Sequence, residues 1–428
     1  MTSDQPRNVL NDLRGRKIVS DVSNEELLAK HLSSGVRTVY AGFDPTAASL
    51  HVGHLIPLSV LRRFQIAGHN TIALIGGATG LIGDPSGKSA ERQLNDQSVV
   101  MDWVERQREQ ICRFLNFDGS SPPQIVNNLD WTENLDVISY LRDIGKHFSV
   151  NAMMQRDNVR TRLEREESGI SYTEFSYMLL QAYDFVELAK RFDCTVQVGG
   201  SDQWGNILSG VDLVRRLLQK QAFAITLSLL TDSEGAKFGK TAGGAVWLDS
   251  TLTSPYSFYQ YWMNIADADV AFLVNMLSFT DSQKRKELLA NHAAKPELRE
   301  AQRALARELT EWVHGTDGLA SATRITDVLF GGQLENLTEG DLEQLWQDGL
   351  DRAEVKSEQN LPMVMCEVSL ANSRGAARRL IESRSVRVNN NSITDVHYAL
   401  TREQALFGRF HLIRRGKKAW GIVQHDEG

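Results

Sequence analysis

Cysteine is scarce in this 428-residue chain: Cys112, Cys194 and Cys366 stand far apart in sequence. So few and so scattered, they argue against a disulfide framework and point to reduced thiols in a cytoplasmic protein. No apolar run approaches the ~20 residues needed to cross a bilayer, which excludes a spanning helix. The N-terminal stretch MTSDQPRNVLNDLRGR has no apolar segment behind its charges, so no secretory signal is expected. Internal repeats and low-complexity tracts are also lacking. What remains is a chain with 42% hydrophobic and 24% charged residues, ample for packed cores. Its length suggests two or three domains.

The formal net charge of −7 would disfavour a nucleic-acid partner if it were evenly spread. It is not. Residues 361–428 hold 11 Lys and Arg against 6 Asp and Glu, while residues 331–360 hold 8 acidic and 2 basic. A basic module behind an acidic, polar connector is the expected arrangement.

Upstream, short β-rich runs alternate with amphipathic helices. Ser23 and Glu26 read as a capping box opening a helix that stops near Gly35. Arg37–Phe43 reads as a strand, Val52–Ala67 as a helix, Thr71–Ile75 and Thr195–Val198 as further strands, the last followed by a helix through Leu218. Near-continuous apolar strands separated by helices predict a doubly wound parallel sheet, a Rossmann-like α/β fold. Ligands in such folds sit beyond the C-terminal strand ends, where the Gly-rich and His-rich turns fall. From Ser254 to Leu329 the pattern is helical. Beyond Leu361, a helix capped by Ser373 precedes a strand at Ser385–Val388. A hairpin then runs from Phe410 to Val423, turning at Arg415-Gly416-Lys417. The expected parts are 1–227 (catalytic), 228–330 (lysine loop and helices), 331–360 (connector) and 361–428 (a small α+β RNA-binding module).

Three local motifs carry chemistry. His51-Val52-Gly53-His54 stands where a strand hands over to a helix. Two histidines three apart share a helical face and suit a metal, but no third ligand lies near them, and no metal site is expected. A phosphate suits them better: Gly53 allows close approach, the helix N-terminus is positive, and two imidazoles can donate. The stretch from Gly76 to Lys88 resembles a P-loop but leaves three residues between Gly83 and Gly87 where that loop needs four. It also lacks a dinucleotide fingerprint. Lys237-Phe-Gly-Lys-Thr241 places two lysines in a polar loop.

Taken together, these segments resemble the class I aminoacyl-tRNA synthetases, in their bacterial tyrosyl branch. Tyr40–Leu55 is similar to the HIGH-bearing segment and Lys237–Thr241 to the KMSKS loop in its KFGK form. Gly239 stands where the general loop motif has Ser. Thr173–Asp184 and Gly199–Asn206 resemble the tyrosyl amino-acid and ribose segments. The tail resembles a small RNA-binding module shared with a ribosomal protein of the small subunit.

The resemblance implies an enzyme that activates tyrosine with ATP and magnesium, then loads it onto tRNA. It places Thr46, His51 and His54 on one side of the phosphates and Lys237, Lys240 and Thr241 on the other. Asp44, Gly53, Lys88, Arg92, Gly200 and Asp202 would complete the ATP site. Asp84, Tyr177 and Gln181 would bind the α-ammonium, Gln203 the carboxylate region, and Tyr40 with Asp184 the phenolic hydroxyl. Arg374, Arg378, Arg379, Arg414, Arg415, Lys417 and Lys418 would follow the tRNA backbone. A homodimer and no membrane partner are also implied. Joining a carboxylate to a phosphate needs no covalent catalyst, only alignment and charge stabilisation, which suits His, Thr and Lys.

Overall fold

The computed structural model describes residues 9–86, 95–119, 121–156, 159–160, 163, 169–230, 238–241, 244–356 and 359–426. It divides into two units, residues 1–248 with 271–281, and residues 249–270 with 282–428.

The first unit is built on a six-stranded sheet. Its strands are β1 (Val19–Val22), β2 (Thr38–Phe43), β3 (Asn70–Ile75), β4 (Gln124–Asn127), β5 (Cys194–Gly200) and β6 (Phe223–Leu227). Their order is β1-β6-β5-β2-β3-β4. All neighbours run parallel except the edge pair β1 and β6. The expected doubly wound sheet is therefore present. Ile72–Ile75 and all of β6 are buried, as strands covered on both faces must be. From β2 the chain moves outward to β3 and β4, then returns to β5 on the other side. The C-terminal ends of β2 and β5 thus flank the switch point, where a crevice opens.

Two local readings need correction. The helix Glu25–Ser33 is capped by Asn24, whose side chain accepts from the Leu27 N–H, and not by Ser23. Ser23 Oγ instead accepts from the Ala224 N–H at 3.0 Å, tying the helix entrance to β6. The helix expected from Val52 begins as a 3₁₀ turn, Val52–His54, and becomes α-helical over Leu55–Ile66.

The second unit contains the helices Pro255–Met263, Ser282–Ala294 and Glu300–Leu329, the last interrupted at Gly315. Its five-stranded sheet runs Asn391–Ser392, Val386–Val388, Phe410–Arg415, Ala419–His425, Asp351–Val355. The last of these comes from the expected connector and lies parallel to Ala419–His425. Residues 331–360 are therefore not a separate link. Asp341 pairs with Arg324 at 2.7 Å and caps its own helix with Thr338. Ile325, Leu329, Leu342, Leu345, Phe410 and Leu412 form one apolar cluster. Full burial of each such side chain contributes about 1.5–3 kcal/mol. Helices and basic module share a core, so the sequence's last three parts largely merge into one unit.

Candidate active site

A cavity of about 420 Å³ lies at the switch point of the first unit. The strand ends supply its floor: Tyr40 from β2, Gln197 and Gly200 from β5, Leu227 from β6. The helix Tyr172–Arg191 delivers Tyr177, Gln181 and Asp184 at spacings of four and three, which places them on one face.

At the His51–His54 turn, the histidines cap the helix start with their rings. His51 Nδ1 accepts from the Gly53 N–H at 3.1 Å, and His54 Nδ1 accepts from the His51 N–H at 3.1 Å. Both rings therefore carry their proton on Nε2, the nitrogen left to donate to a ligand. Burial, reinforced by neighbouring His51, pushes the His54 pKa down to about 3, so it serves as a neutral donor. The preceding loop places Thr46 on the cavity wall. Asp44 accepts from the Thr79 hydroxyl at 2.8 Å and from the Tyr177 hydroxyl at 2.6 Å. Gly76 makes this possible, since a Cβ there would lie 2.1 Å from Asp44 Oδ1.

At the opposite end, Tyr40 is 1% exposed and packs edge-on against Phe185 at 5.1 Å. Its hydroxyl is buried and has no hydrogen-bond partner among the described residues. Burial and the charge of Asp184 push its pKa well up. Asp184 is held from both sides: Trp131 Nε1 donates to Oδ1 at 2.8 Å and Asn128 Nδ2 to Oδ2 at 3.0 Å. Burial raises the Asp184 pKa to about 7, with these two donors pulling against it.

Between the ends, Gln203 Nε2 donates to Asp84 Oδ2 at 2.6 Å, and Asp84 Oδ1 accepts from the Ser86 N–H. Asn206 Nδ2 lies 3.1 Å from Gln181 Oε1 and 3.2 Å from Gln203 Oε1, holding both amides in one orientation.

The fold thus brings together 13 of the 18 residues expected at the small-molecule site, among them Gly53, Asp84 and Asp202. Lys88, Arg92 and Lys237 lie outside the described residues. Lys240 and Thr241 form a short strand paired with Gly244–Ala245, beside a cavity wall made by Phe238 and Gly239. In the second unit, Arg374, Arg378 and Arg379 are exposed on the helix Arg374–Glu382, as are Lys417 and Lys418 in the hairpin turn. Arg414 stacks on Trp420 at 5.3 Å, whereas Arg415 donates to the Leu370 carbonyl at 2.8 Å and is partly committed to the fold. Sequence reasoning missed Asn128, Trp131, Thr79 and Asn206. Thr79 lies in the Gly76–Lys88 stretch and Asn206 closes the Gly199–Asn206 segment, whereas Asn128 and Trp131 sit in no recognisable motif.

Residues 33–331 match the family of class I tRNA synthetases for tryptophan and tyrosine. Residues 341–423 match a tyrosine–tRNA ligase C-terminal domain. The chain is 50% identical to a tyrosine–tRNA ligase of Aliivibrio fischeri over 97% of its own length and 98% of the relative's. It is 49% identical to one from Escherichia coli, with the same two coverages. Among solved structures, a C-terminally truncated mitochondrial tyrosyl-tRNA synthetase of Aspergillus nidulans aligns with a TM-score of 0.69 at 30% identity. That alignment covers 76% of this chain and 94% of the other. With this sheet, this cleft and these relatives, the chain belongs to the class I tRNA synthetases, in the bacterial tyrosine–tRNA ligase family.

Proposed function

We propose that the cleft of the first unit joins tyrosine to the α-phosphate of ATP, releasing pyrophosphate, before tyrosine passes to the 3′-terminal ribose of tRNA. As a member of its family, the chain is a tyrosine–tRNA ligase using ATP; the assignment of roles within the cleft is the proposal. One observation carries it: a buried phenol, Tyr40, and a carboxylate fixed by two donors, Asp184, at the closed end. A substrate phenol donates to ionised Asp184 and accepts from Tyr40, whereas a phenyl ring leaves the Tyr40 hydroxyl unpaired and gives Asp184 no donor beyond Asn128 and Trp131. A buried group left unpaired costs about 1–3 kcal/mol.

Asp84, Tyr177 and Gln181 take the ammonium, with Gln203 beside the carboxylate. That carboxylate is already the nucleophile near neutral pH. Neutral His51 and His54, with Thr46, donate to phosphate oxygens from one side. Lys237, Lys240 and Thr241 meet them from the other, with Lys88 and Arg92 assisting, so charge is stabilised where it develops. Asp44, Gly53, Gly200 and Asp202 hold the rest of the nucleotide, Asp202 as acceptor for ribose hydroxyls. The imidazoles, hydroxyls and amides of this wall suit phosphate better than a hard cation. Magnesium would enter with ATP and would neutralise part of the phosphate charge.

The exposed Arg374, Arg378, Arg379, Lys417 and Lys418 suit an RNA backbone, with Arg414 and Arg415 beside them. Val137, Ile138, Leu141, Val150 and Tyr172 are exposed apolar residues, suited to contact with a second copy of the chain. Membership of a bacterial tRNA-charging family suits a cytoplasmic location. Rapid-quench measurement of tyrosyl-adenylate tests the roles: Tyr40→Phe should weaken tyrosine binding and Thr46→Ala should slow the step. Unchanged binding in Tyr40→Phe together with an unchanged rate in Thr46→Ala would contradict the placement.

A further inference from the structure

The helix Gln97–Phe114 buries an apolar stripe made by Val100, Val104, Ile111 and Phe114. Two glutamines interrupt that buried face, Gln107 at 1% and Gln110 at 5% exposure. A buried side-chain amide is costly unless it is bonded, and an apolar residue would suit the stripe better. Both amides are turned to one target. Gln107 Nε2 donates to the Ala47 carbonyl at 3.1 Å. Gln110 Oε1 accepts from the Leu50 N–H at 2.9 Å, and its Nε2 donates to Ser49 Oγ at 3.2 Å. Gln107 Oε1 has no partner among the described residues, so this amide is buried for its single donated bond.

The segment so gripped, residues 44–50, forms no regular element. It carries Asp44 and Thr46 and leads directly into His51. Irregular backbone between a strand and a helix needs side-chain partners to hold one geometry. Neither glutamine lines the cavity. We infer that Gln107 and Gln110 are positioning residues for adenylate formation, fixing residues 47–50 so that Thr46 and His51 meet the ATP phosphates in register. The inference rests on the phosphate role given above to Thr46 and His51.

Gln107→Met and Gln110→Met keep side-chain volume and remove the amides. In rapid-quench assays of the full chain, each should slow adenylate formation on the order of 10-fold, because small misplacements of aligned groups are costly. The tyrosine dissociation constant should stay within about twofold, since the Tyr40 and Asp184 end is untouched. The deciding measurement is a double-mutant cycle with Thr46→Ala. If the glutamines act through the loop, the loss caused by Gln110→Met shrinks severalfold once Thr46 is gone. An equal loss in both backgrounds, or none in either, overturns the inference while sparing the site. Thr46→Ala leaving the rate unchanged would overturn the phosphate assignment itself, and the inference with it. If a methionine variant folds poorly, as its melting curve would show, Ser49→Ala replaces it in the same cycle and is read the same way.

Discussion

At the level of single residues, the cleft works by fixing which atoms donate and which accept. Asp184 is the clearest case, since its two oxygens already accept from Asn128 and Trp131. An ionised carboxylate has lone pairs left for a substrate phenol; a protonated one competes with it as a donor. With the pKa raised to about 7 by burial, tyrosine should bind progressively more weakly as pH falls from 8 to 6. Trp131→Phe removes a donor that favours the charged form, so the same loss should begin at a higher pH. Equilibrium binding of tyrosine across that range checks both, and a flat profile would contradict this use of Asp184. Tyr40 and Asp184 are legible from the sequence because they stand in recognisable segments. Their support is not: Asn128 and Trp131 reach the carboxylate only through the tertiary placement of β4 and the turn after it.

Among the elements, loops and turns do most of the positioning. Val52 N–H donates to the Val246 carbonyl at 3.0 Å, and Leu248 N–H to the Leu50 carbonyl at 2.8 Å, tying the histidine turn to the segment after the lysine loop. Gly239 lies between them with φ +88°, and a Cβ there would meet Val52 Cγ2 at 2.3 Å. That accounts for glycine where the general motif has serine. Gly239→Ala should slow adenylate formation on the order of 10- to 100-fold while tyrosine binding changes little. Stopped-flow rates compared with binding constants decide this, and an unchanged rate would show that the loop geometry tolerates a side chain. Strand and helix periodicity predicts β2, β3, β5 and the helices Glu25–Ser33, Leu55–Ile66 and Trp204–Leu218 to within a few residues, while β1, β4 and β6 go unread. The errors arise where a distant partner takes a side chain, as when Ser23 bonds to Ala224 and leaves the cap to Asn24. The strand Asp351–Val355 shows the alternation of a half-buried strand, with Ala353 and Val355 inward. Its acidity makes it read as a connector, because charge at exposed positions says nothing about pairing.

For the whole molecule, the shared core of the second unit changes what truncation does. Ending the chain after residue 360 leaves Asp351–Val355 without its neighbour strand and uncovers Leu342 and Leu345. Such a fragment should still form tyrosyl-adenylate but melt lower than one ended after residue 331, and charge tRNA poorly. Calorimetry beside an aminoacylation assay tests this, and full charging by either fragment would show the basic module to be dispensable. The second unit should also fail in acid. His411 and His425 face each other through Nε2 at 3.0 Å, so at least one must be neutral. Burial lowers His425 and takes His411 to about 4, both below the ordinary imidazole value. The unfolded chain then takes up protons first, so stability is intact above pH ~6.5 and falls as pH drops toward 4, by about 3 kcal/mol for His411. Equal melting midpoints at pH 7.5 and 5 would contradict that.

The most direct test of the central assignment is ATP–pyrophosphate exchange by the full chain with tyrosine, phenylalanine or tryptophan as the only amino acid. Exchange should be strong with tyrosine and scarcely above background with the other two, and Asp184→Asn should remove most of the tyrosine signal. Comparable exchange with tryptophan or phenylalanine, or full tyrosine exchange without Asp184, would contradict the account of the cleft.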